Sequence, residues 1–230
     1  MKSQMALSLS MLAFTAFAHA APTVVPAQFD SVYVANGFDS NDNLQFVGTG
    51  LFPSSCYRPA DTAVQVDREK KEITVTPMAY QYSGVCLQVV LPFERVIETG
   101  PVPAGTYRIL QAGKQLGEVV VRPALTDSPD DHLYAPVSQA LFRSKNGGGE
   151  IVISGEYPTD CMSIDRVEVD VQKNVLVVMP IVAVEHRQDC AMGYYPFTKV
   201  TKIDSIPKGR FLLHVRAMNA NGINSMVLKD

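Results

Sequence analysis

The chain has 230 residues, a formal net charge of −3 at pH 7 and apolar residues at 47% of its positions, a composition that excludes an intrinsically disordered protein. Its pI near 5.8 argues against a nucleic-acid partner, because such binding needs clustered lysine and arginine side chains that neutralise phosphates. The length is compatible with one or two domains.

The first twenty residues have the features of a secretory signal peptide. Lys2 provides a positive charge, residues 5–17 form an apolar stretch, and the sequence Ala-His-Ala at 18–20 fits the small-x-small cleavage rule. The apolar stretch is too short to span a membrane, and no other segment reaches the roughly 20 apolar residues that a spanning helix needs. We therefore expect a mature chain that starts at Ala21, has no membrane span and is periplasmic or secreted.

After a short lead at residues 21–29, alternation of apolar and polar residues predicts β-strands throughout the chain. Val64, Val66, Ile73 and Val75 alternate with polar residues in this way, which places every second side chain on one face of a strand. The pattern recurs at residues 166–171 and 211–217, and turn-forming Asp, Asn and Gly residues separate the runs. No segment after the signal peptide has helical periodicity.

The chain contains an internal duplication, because the landmarks of residues 50–105 recur in the same order at 155–209. The matched positions are Pro53 and Pro158, Cys56 and Cys161, Cys86 and Cys190, Phe93 and Phe197, and Gly105 and Gly209. Residues 30–33 also resemble residues 131–134, at an offset of 101. We expect a first domain at 30–127, a semi-rigid hinge at 128–131 and a second domain at 132–230.

The four cysteines lie two in each unit, at separations of 30 and 29 residues. Four cysteines allow three pairings, and only the pairs Cys56–Cys86 and Cys161–Cys190 close two equivalent domains. A zinc site would need close-set ligands and a redox pair a C-x-x-C motif, which argues for structural disulfides. Export into an oxidising compartment agrees with this interpretation.

About seven short strands in each unit of about 100 residues predict an all-β protein with two tandem immunoglobulin-like β-sandwich domains, each with one intradomain disulfide. The chain has no tryptophan, and the cysteine spacing is too short for the inter-sheet bridge of antibody domains. We expect each disulfide to join the start of a strand to a nearby loop at one end of the sandwich. Tyr107 and Phe211 follow glycine turns, and we expect both in the core.

The first unit resembles a recurrent exported bacterial immunoglobulin-like domain. The similarity lies in the segments GLFPSSC, CLQVVLPF and PVPAGTY, which give a G-x-x-P-x-x-C motif, a second cysteine shortly before a Pro-Phe pair, and a P-x-G-x-Y turn. The resemblance covers nearly all of both units and implies a secreted sandwich with no established activity. The second unit departs from it, with Arg210 and Phe211 where the first has Thr106 and Tyr107.

One stretch has the residue types of a calcium site. Asp39, Asn41 and Asn43 alternate, and their oxygen atoms are suitable ligands for a hard cation. Asp and Asn are also favoured in hairpin turns, where their side chains bond the nearby backbone. We favour the turn, and we expect no cofactor. Asp127, Asp130 and Asp131 form a similar acidic group at the hinge, which we interpret as a solvated linker.

Histidines provide no convincing catalytic group. His186 and Asp189 lie just before Cys190, but acyl transfer needs a nucleophile, a base and a third group that orients the base, and no motif supplies them. We interpret these residues as a surface loop, and His132 and His214 as exposed or hydrogen-bonded structural residues. The sequence therefore predicts a protein that is not an enzyme.

Tyrosines near the second cysteine of each unit are candidates for partner binding. Tyr80 and Tyr82 precede Cys86, and Tyr194 and Tyr195 follow Cys190. Tyrosine is favoured at binding surfaces because it has a rigid apolar ring with a polar end. Adjacent residues on a strand point to opposite faces, so we expect either Tyr194 or Tyr195 in the core.

We predict an exported, non-enzymatic binding or interaction module of the cell envelope, with a protein or glycan partner. One alternative is a calcium-stabilised adhesion or surface-structural component, which chelation would destabilise. A second is an inhibitor or accessory protein of an envelope hydrolase that uses residues 81–85 as a wedge, which a Tyr82 substitution would inactivate. A third is an enzyme with a polar cleft between the two domains.

Overall fold

A computed structural model describes residues 21–128, 130–145, 148–187 and 189–228. The predicted signal peptide at 1–20 lies outside these ranges, as do Pro129 and Gln188. All regular elements within them are β-strands, and they include no helix long and apolar enough to cross a membrane. The all-β prediction is confirmed.

The first unit is a sandwich of two sheets built from eight strands. These are β1 (Thr23–Pro26), β2 (Ser31–Val34), β3 (Leu44–Phe52), β4 (Tyr57–Asp67), β5 (Glu72–Gln81), β6 (Leu91–Gly100), β7 (Gly105–Gln111) and β8 (Lys114–Val121). Sheet 1 contains β4, β5, β7 and β8, and β1 pairs with the end of β5. Sheet 2 has the order β2-β3-β6.

The second unit repeats this arrangement with seven strands. These are β9 (Val137–Lys145), β10 (Gly148–Thr159), β11 (Met162–Val171), β12 (Val175–Val184), β13 (Met192–Ile203), β14 (Arg210–Ala217) and β15 (Asn221–Leu228). Sheet 3, in the order β13-β10-β9, corresponds to sheet 2, and sheet 4, in the order β11-β12-β14-β15, corresponds to sheet 1. In both units one parallel pair, β5 with β7 and β12 with β14, lies in an otherwise antiparallel sheet. The tandem sandwich prediction is confirmed.

The lead segment belongs to the first sandwich, which corrects the expected start at residue 30. The amide of Ala27 donates to the carbonyl of Pro77 at 2.9 Å, and the amide of Ala135 donates to that of Pro180 at 2.8 Å. Residues around 27 and 135 therefore occupy equivalent places, and the matching of residues 30–33 with 131–134 was wrong. Residues 30–33 and 131–134 are similar by chance. The segments that are equivalent in the structure, around Ala27 and Ala135, have little sequence similarity.

Two equivalent glycines allow these opening segments to pass close to a central strand. A Cβ atom on Gly50 would clash with the carbonyl oxygen of Gln28, and a Cβ on Gly155 would clash with that of Pro136. The backbone approach is too close for any side chain. This contact explains why glycine stands at both positions of the duplication.

Each sandwich has its own apolar core. Tyr107 and Phe211 are fully buried, as predicted. An aromatic pair recurs at one end of each core: the rings of Phe52 and Phe93 lie 4.1 Å apart. Those of Tyr157 and Phe197, at the matching positions, lie 4.5 Å apart. Burial of these large side chains is the main source of stability in each unit.

The predicted disulfides, Cys56–Cys86 and Cys161–Cys190, are both present, with Cα–Cα distances of 5.4 and 5.5 Å. Each joins the turn before a strand, β4 or β11, to the connection before β6 or β13. They therefore fasten a loop to one end of each sandwich, as expected. In the chain-entropy model a closed loop of about 30 residues stabilises each unit by about 3 to 4 kcal/mol.

The two units pack against each other through a sheet face. Val175, Val177 and Leu212 of sheet 4 are buried in the apolar cluster of the first unit. Asn224 of β15 donates to Gln45 of β3 at 2.7 Å, which places the outer face of sheet 4 against the outer face of sheet 2. Both faces of sheet 4 are thus covered, one by its own sandwich and one by its neighbour.

Candidate binding surfaces

The connection between β5 and β6, residues 82–90, is held at the disulfide end of the first sandwich. We call it the first-unit loop. Besides the Cys56–Cys86 bond, the amide of Tyr82 donates to the carbonyl of Cys56, and the amide of Ser55 donates to that of Leu87 at 3.0 Å. The Leu87 amide in turn donates to the Ser55 hydroxyl at 2.9 Å. The loop is irregular but anchored at three points.

The first-unit loop exposes several apolar side chains, with the polar Ser83 and Gln88 between them. Val85 is fully exposed and Leu87 is 68% exposed, and Tyr82, Val89 and Val90 are also exposed. Residues 79–93 contain no charged residue. Isolated exposed apolar residues are common on protein surfaces, whereas neighbouring exposed apolar residues without charges are typical of interaction surfaces.

The equivalent loop of the second unit, residues 185–191, has the same anchors and a different chemistry. The amides of Glu185 and Asp160 make the matching backbone bonds. Arg187 forms an ion pair with Asp160 at 2.8 Å and donates to the sulfur of Cys161 at 3.0 Å. His186 and Asp189 are exposed. We call residues 185–191 the second-unit loop; its charged side chains, where the first-unit loop has none, show that the two copies have diverged at this end.

The four predicted tyrosines lie at two kinds of position. Tyr80 is near the end of β5 and Tyr82 is the first residue of the first-unit loop, whereas Tyr194 and Tyr195 are at the start of β13, so the two pairs are not equivalent in the duplication. Tyr80 therefore lies beside the exposed loop and Tyr82 within it. Tyr195 packs against the second core, and Tyr194 is 87% exposed on the outer face of sheet 3.

The Asp39–Asn43 segment forms a hydrogen-bonded turn. The Asp39 carboxylate accepts from the amides of Asn41 at 2.8 Å and Asp42 at 3.2 Å, and the Asp42 carboxylate accepts from the Asp39 amide. Asn41 donates instead to the carbonyl of Thr126, and Asn43 accepts from the amide of Gly100. The three side chains considered as calcium ligands therefore form hydrogen bonds with three different segments of the chain. Within the described residues, no group of three or more His, Cys, Asp or Glu side chains is placed to hold a metal.

Sequence reasoning missed a buried ion pair between the units. Arg216 of β14 lies 3.2 Å from Asp42 of the first unit, and both side chains are more than 90% buried. Arg216 also donates to the carbonyl of Gly37 and lies against the rings of Phe38 and Tyr134. Burial raises the pKa of Asp42, although the guanidinium opposes this shift. The alternation pattern had assigned Arg216 to an outward face, and only the neighbouring unit buries it.

His214 lies in the same interface and is hydrogen-bonded rather than exposed. Its Nδ1 is 2.8 Å from the Asn224 side chain, and its ring lies edge-on to Phe38, 5.6 Å away. Burial lowers the pKa of His214 from 6.5 to about 4, and the nearby Arg216 charge adds to this effect. The imidazole is therefore neutral at physiological pH.

A cavity of about 280 Å³ opens at the boundary between the units. Burial raises the pKa of Tyr134 in its lining. The polar lining residues are Asn36, Arg122, Asp131, His132, Tyr134, Asp170 and Arg216. The described lining contains no Ser, Thr or Cys side chain. This cleft matches the location that an inter-domain active site would need.

The linker is fastened to both units. The Asp130 carboxylate accepts from the amides of Asn219 at 3.0 Å and Ala220 at 3.1 Å. Burial raises the pKa of Asp130, and these two amides oppose the shift. On the other side, Asn41 contacts the carbonyls of Thr126 and Ser128. These bonds restrict the residues on either side of the linker.

Comparison with known proteins gives a fold and no activity. A family model described as the ORF11 β-sandwich domain matches the chain twice, at residues 47–121 and 151–228. The two segments run from β3 to β8 and from β10 to β15, and so follow the duplication. No curated protein and no solved structure matched the chain.

Proposed function

We propose that the chain, which belongs to the ORF11 β-sandwich domain family, is an exported binding module that holds a protein partner on its first-unit loop. The observation that carries the proposal is the exposed, uncharged apolar surface at residues 82–90. Removal of such a surface from water provides the main driving force for association. The two disulfides suit an oxidising compartment.

The anchoring of the loop favours binding without a large entropy cost. The Cys56–Cys86 bond and the Ser55–Leu87 hydrogen bonds fix the middle of the exposed segment, and strands β5 and β6 hold its two ends. A loop that is already ordered loses less conformational freedom when it binds. The first-unit loop therefore presents an ordered surface before any partner binds.

The chemistry of the loop favours a protein over a glycan. Val85, Leu87, Val89 and Val90 offer only methyl and methylene groups, whereas a sugar needs several directed hydrogen bonds. Tyr80 and Tyr82 lie at the edge of this surface and add aromatic anchors of the kind enriched at protein interfaces. We infer a partner with an apolar groove.

Affinity capture tests the proposal. The mature chain, residues 21–230 with its disulfides formed, is immobilised and incubated with an envelope extract of its own organism, beside the variants Leu87→Asp and Val120→Asp. Both substituted side chains are exposed, but Val120 lies on β8, away from the loop. We expect one saturable protein that the wild type and Val120→Asp retain and Leu87→Asp loses, with affinity at least tenfold weaker.

The identity of the captured protein separates the remaining interpretations. If it is a hydrolase whose activity falls on binding, the loop acts as an inhibitory wedge, and Tyr82→Ala should restore the activity. Equal capture by the wild type and Leu87→Asp would show that the partner uses another surface, and the proposal would be wrong.

A further inference from the structure

The outer face of sheet 3 has an apolar row that crosses all three strands. Val152 of β10 pairs with Leu141 of β9 on one side and with Val200 of β13 on the other. Leu141 is 56% exposed and Val200 is 48% exposed. The described part of the chain therefore leaves this row in contact with water.

The duplication shows what such a row does in the first unit. Tyr33, Val47 and Val96 are paired in the same way across β2, β3 and β6. Val47, the central residue, is buried in the apolar cluster that includes side chains of sheet 4, and Tyr33 packs against that cluster, whereas Val96 at the edge is 47% exposed. This position is thus a surface on which another sheet packs, and its copy in the second unit keeps the apolar residues.

Sheets 1 and 4 of a second copy are poorly suited to pack on this face. The outer face of sheet 4 is already used against sheet 2. On sheet 1, the paired residues Glu72 and Arg108 stand where sheet 4 has the buried pair Val175 and Leu212, and they form an ion pair. The outer face of sheet 1 is therefore too polar to repeat the internal contact, but a second sheet 3 offers a matching apolar row.

The charges on the face select one relative orientation. Arg143 and Lys202 lie on either side of Glu150, next to the apolar row, and Glu150 is neutralised by Lys145 at 2.6 Å. Glu156 lies on β10 on the opposite side of the row. Parallel stacking of two copies would place Arg143 of one copy over Lys202 of the other, whereas antiparallel stacking places this basic row over the uncharged row of Ser154, beside Glu156 of the other copy.

We propose that two copies of the chain associate through the outer faces of sheet 3, antiparallel and about a twofold axis. Such an isologous contact closes at the dimer and does not extend into a fibre. The face is only three strands wide and smaller than a standard interface, so we expect a dissociation constant on the order of 10 to 100 µM. The first-unit loop lies on a different sheet edge and takes no part.

Sedimentation equilibrium of the intact mature chain from about 5 to 500 µM, a range chosen to bracket that constant, tests the proposal. We expect a reversible monomer–dimer equilibrium. Leu141→Lys and Val200→Lys should each weaken it at least tenfold, and Val120→Lys, an exposed position of sheet 1, should not. Leu87→Asp should leave dimerisation unchanged, which separates this proposal from the partner-binding function.

A charge exchange tests the orientation. Glu156→Lys should weaken the dimer, as should Arg143→Glu combined with Lys202→Glu, because each leaves like charges opposed. The variant that combines Glu156→Lys, Arg143→Glu and Lys202→Glu exchanges the charges and restores opposite signs across the interface. Its dissociation constant should return to within about threefold of the wild-type value, which allows for incomplete additivity of the single effects. A wild-type chain that stays monomeric over the whole range, a dimer that survives Leu141→Lys, or a triple variant without recovery would each overturn the proposal.

Discussion

Acid should destabilise the protein through His214. The folded pKa of His214 is about 4 and its ordinary value is 6.5, so between these values the unfolded chain binds a proton that the folded protein does not. The free energy of unfolding therefore falls as the pH drops from 6.5 towards 4. A difference of 2.5 pH units corresponds to about 3 kcal/mol.

Two other buried groups act in the opposite direction. The pKa values of Asp42 and Asp130 are raised by burial, so the folded protein binds their protons more readily than the unfolded chain does. Their contribution stabilises the fold as the pH falls towards 3.8. A His214→Leu variant keeps both carboxyl groups, and the difference between its pH profile and that of the wild type isolates the histidine.

Urea unfolding of the wild type and His214→Leu between pH 4 and 8 measures this difference. The chain has no tryptophan, so circular dichroism is the appropriate signal. We expect the wild type to lose about 3 kcal/mol relative to the variant between pH 7 and pH 4. His186→Gln, in the exposed second-unit loop, should behave as the wild type does. Parallel profiles for wild type and His214→Leu would refute the reasoning.

Three further predictions concern the stability of the fold. Asp42→Ala should lower the free energy of unfolding by about 3 to 5 kcal/mol in urea titrations, because Arg216 remains buried without its partner; a loss below about 1 kcal/mol would contradict a desolvated pair. Gly155→Ala should lower the melting temperature, since its Cβ would clash with the Pro136 carbonyl and overpacking costs about 1 to 3 kcal/mol; an unchanged value would argue against the close approach. Chelation with EDTA should leave the melting temperature unchanged, because Asp39 bonds to its own turn; a clear decrease would restore the calcium hypothesis.

The sandwich fold and the disulfides could be predicted because they depend on local and repeated signals. Alternation along a strand is visible in the sequence, and the recurrence of Cys56 and Cys86 at Cys161 and Cys190 fixed the pairing. The turn at Asp39 followed from the same kind of local chemistry.

The interface between the units could not be predicted from the sequence. Alternation shows which side chains point away from a sandwich core, but it does not show whether they meet solvent or a second sheet. His214 and Arg216 fall on the outward positions of β14, where polar residues normally meet solvent. Both are buried against residues of the first unit that lie more than 170 positions earlier in the sequence, Arg216 against Asp42 and His214 against Phe38. The start of the first sandwich was also missed, since Ala27 and Ala135 match in backbone bonding and hardly in their neighbouring residues.

The candidate surface was found in part. The sequence pointed to residues 81–85, but the exposed apolar segment extends to Val90. Apolar residues beside a cysteine normally suggest a core. The signal for a contact surface is that residues 79–93 contain no charge, whereas the second-unit loop is charged.

Site-specific photo-crosslinking tests the binding proposal most directly. A benzophenone side chain is placed at position 85, in the first-unit loop, or at position 120, on β8, and each protein is irradiated in its own envelope extract. We predict one crosslinked protein at position 85 that Leu87→Asp abolishes, and none at position 120. A crosslink at position 120 alone, or equal crosslinks at both positions, would contradict a function centred on the first-unit loop.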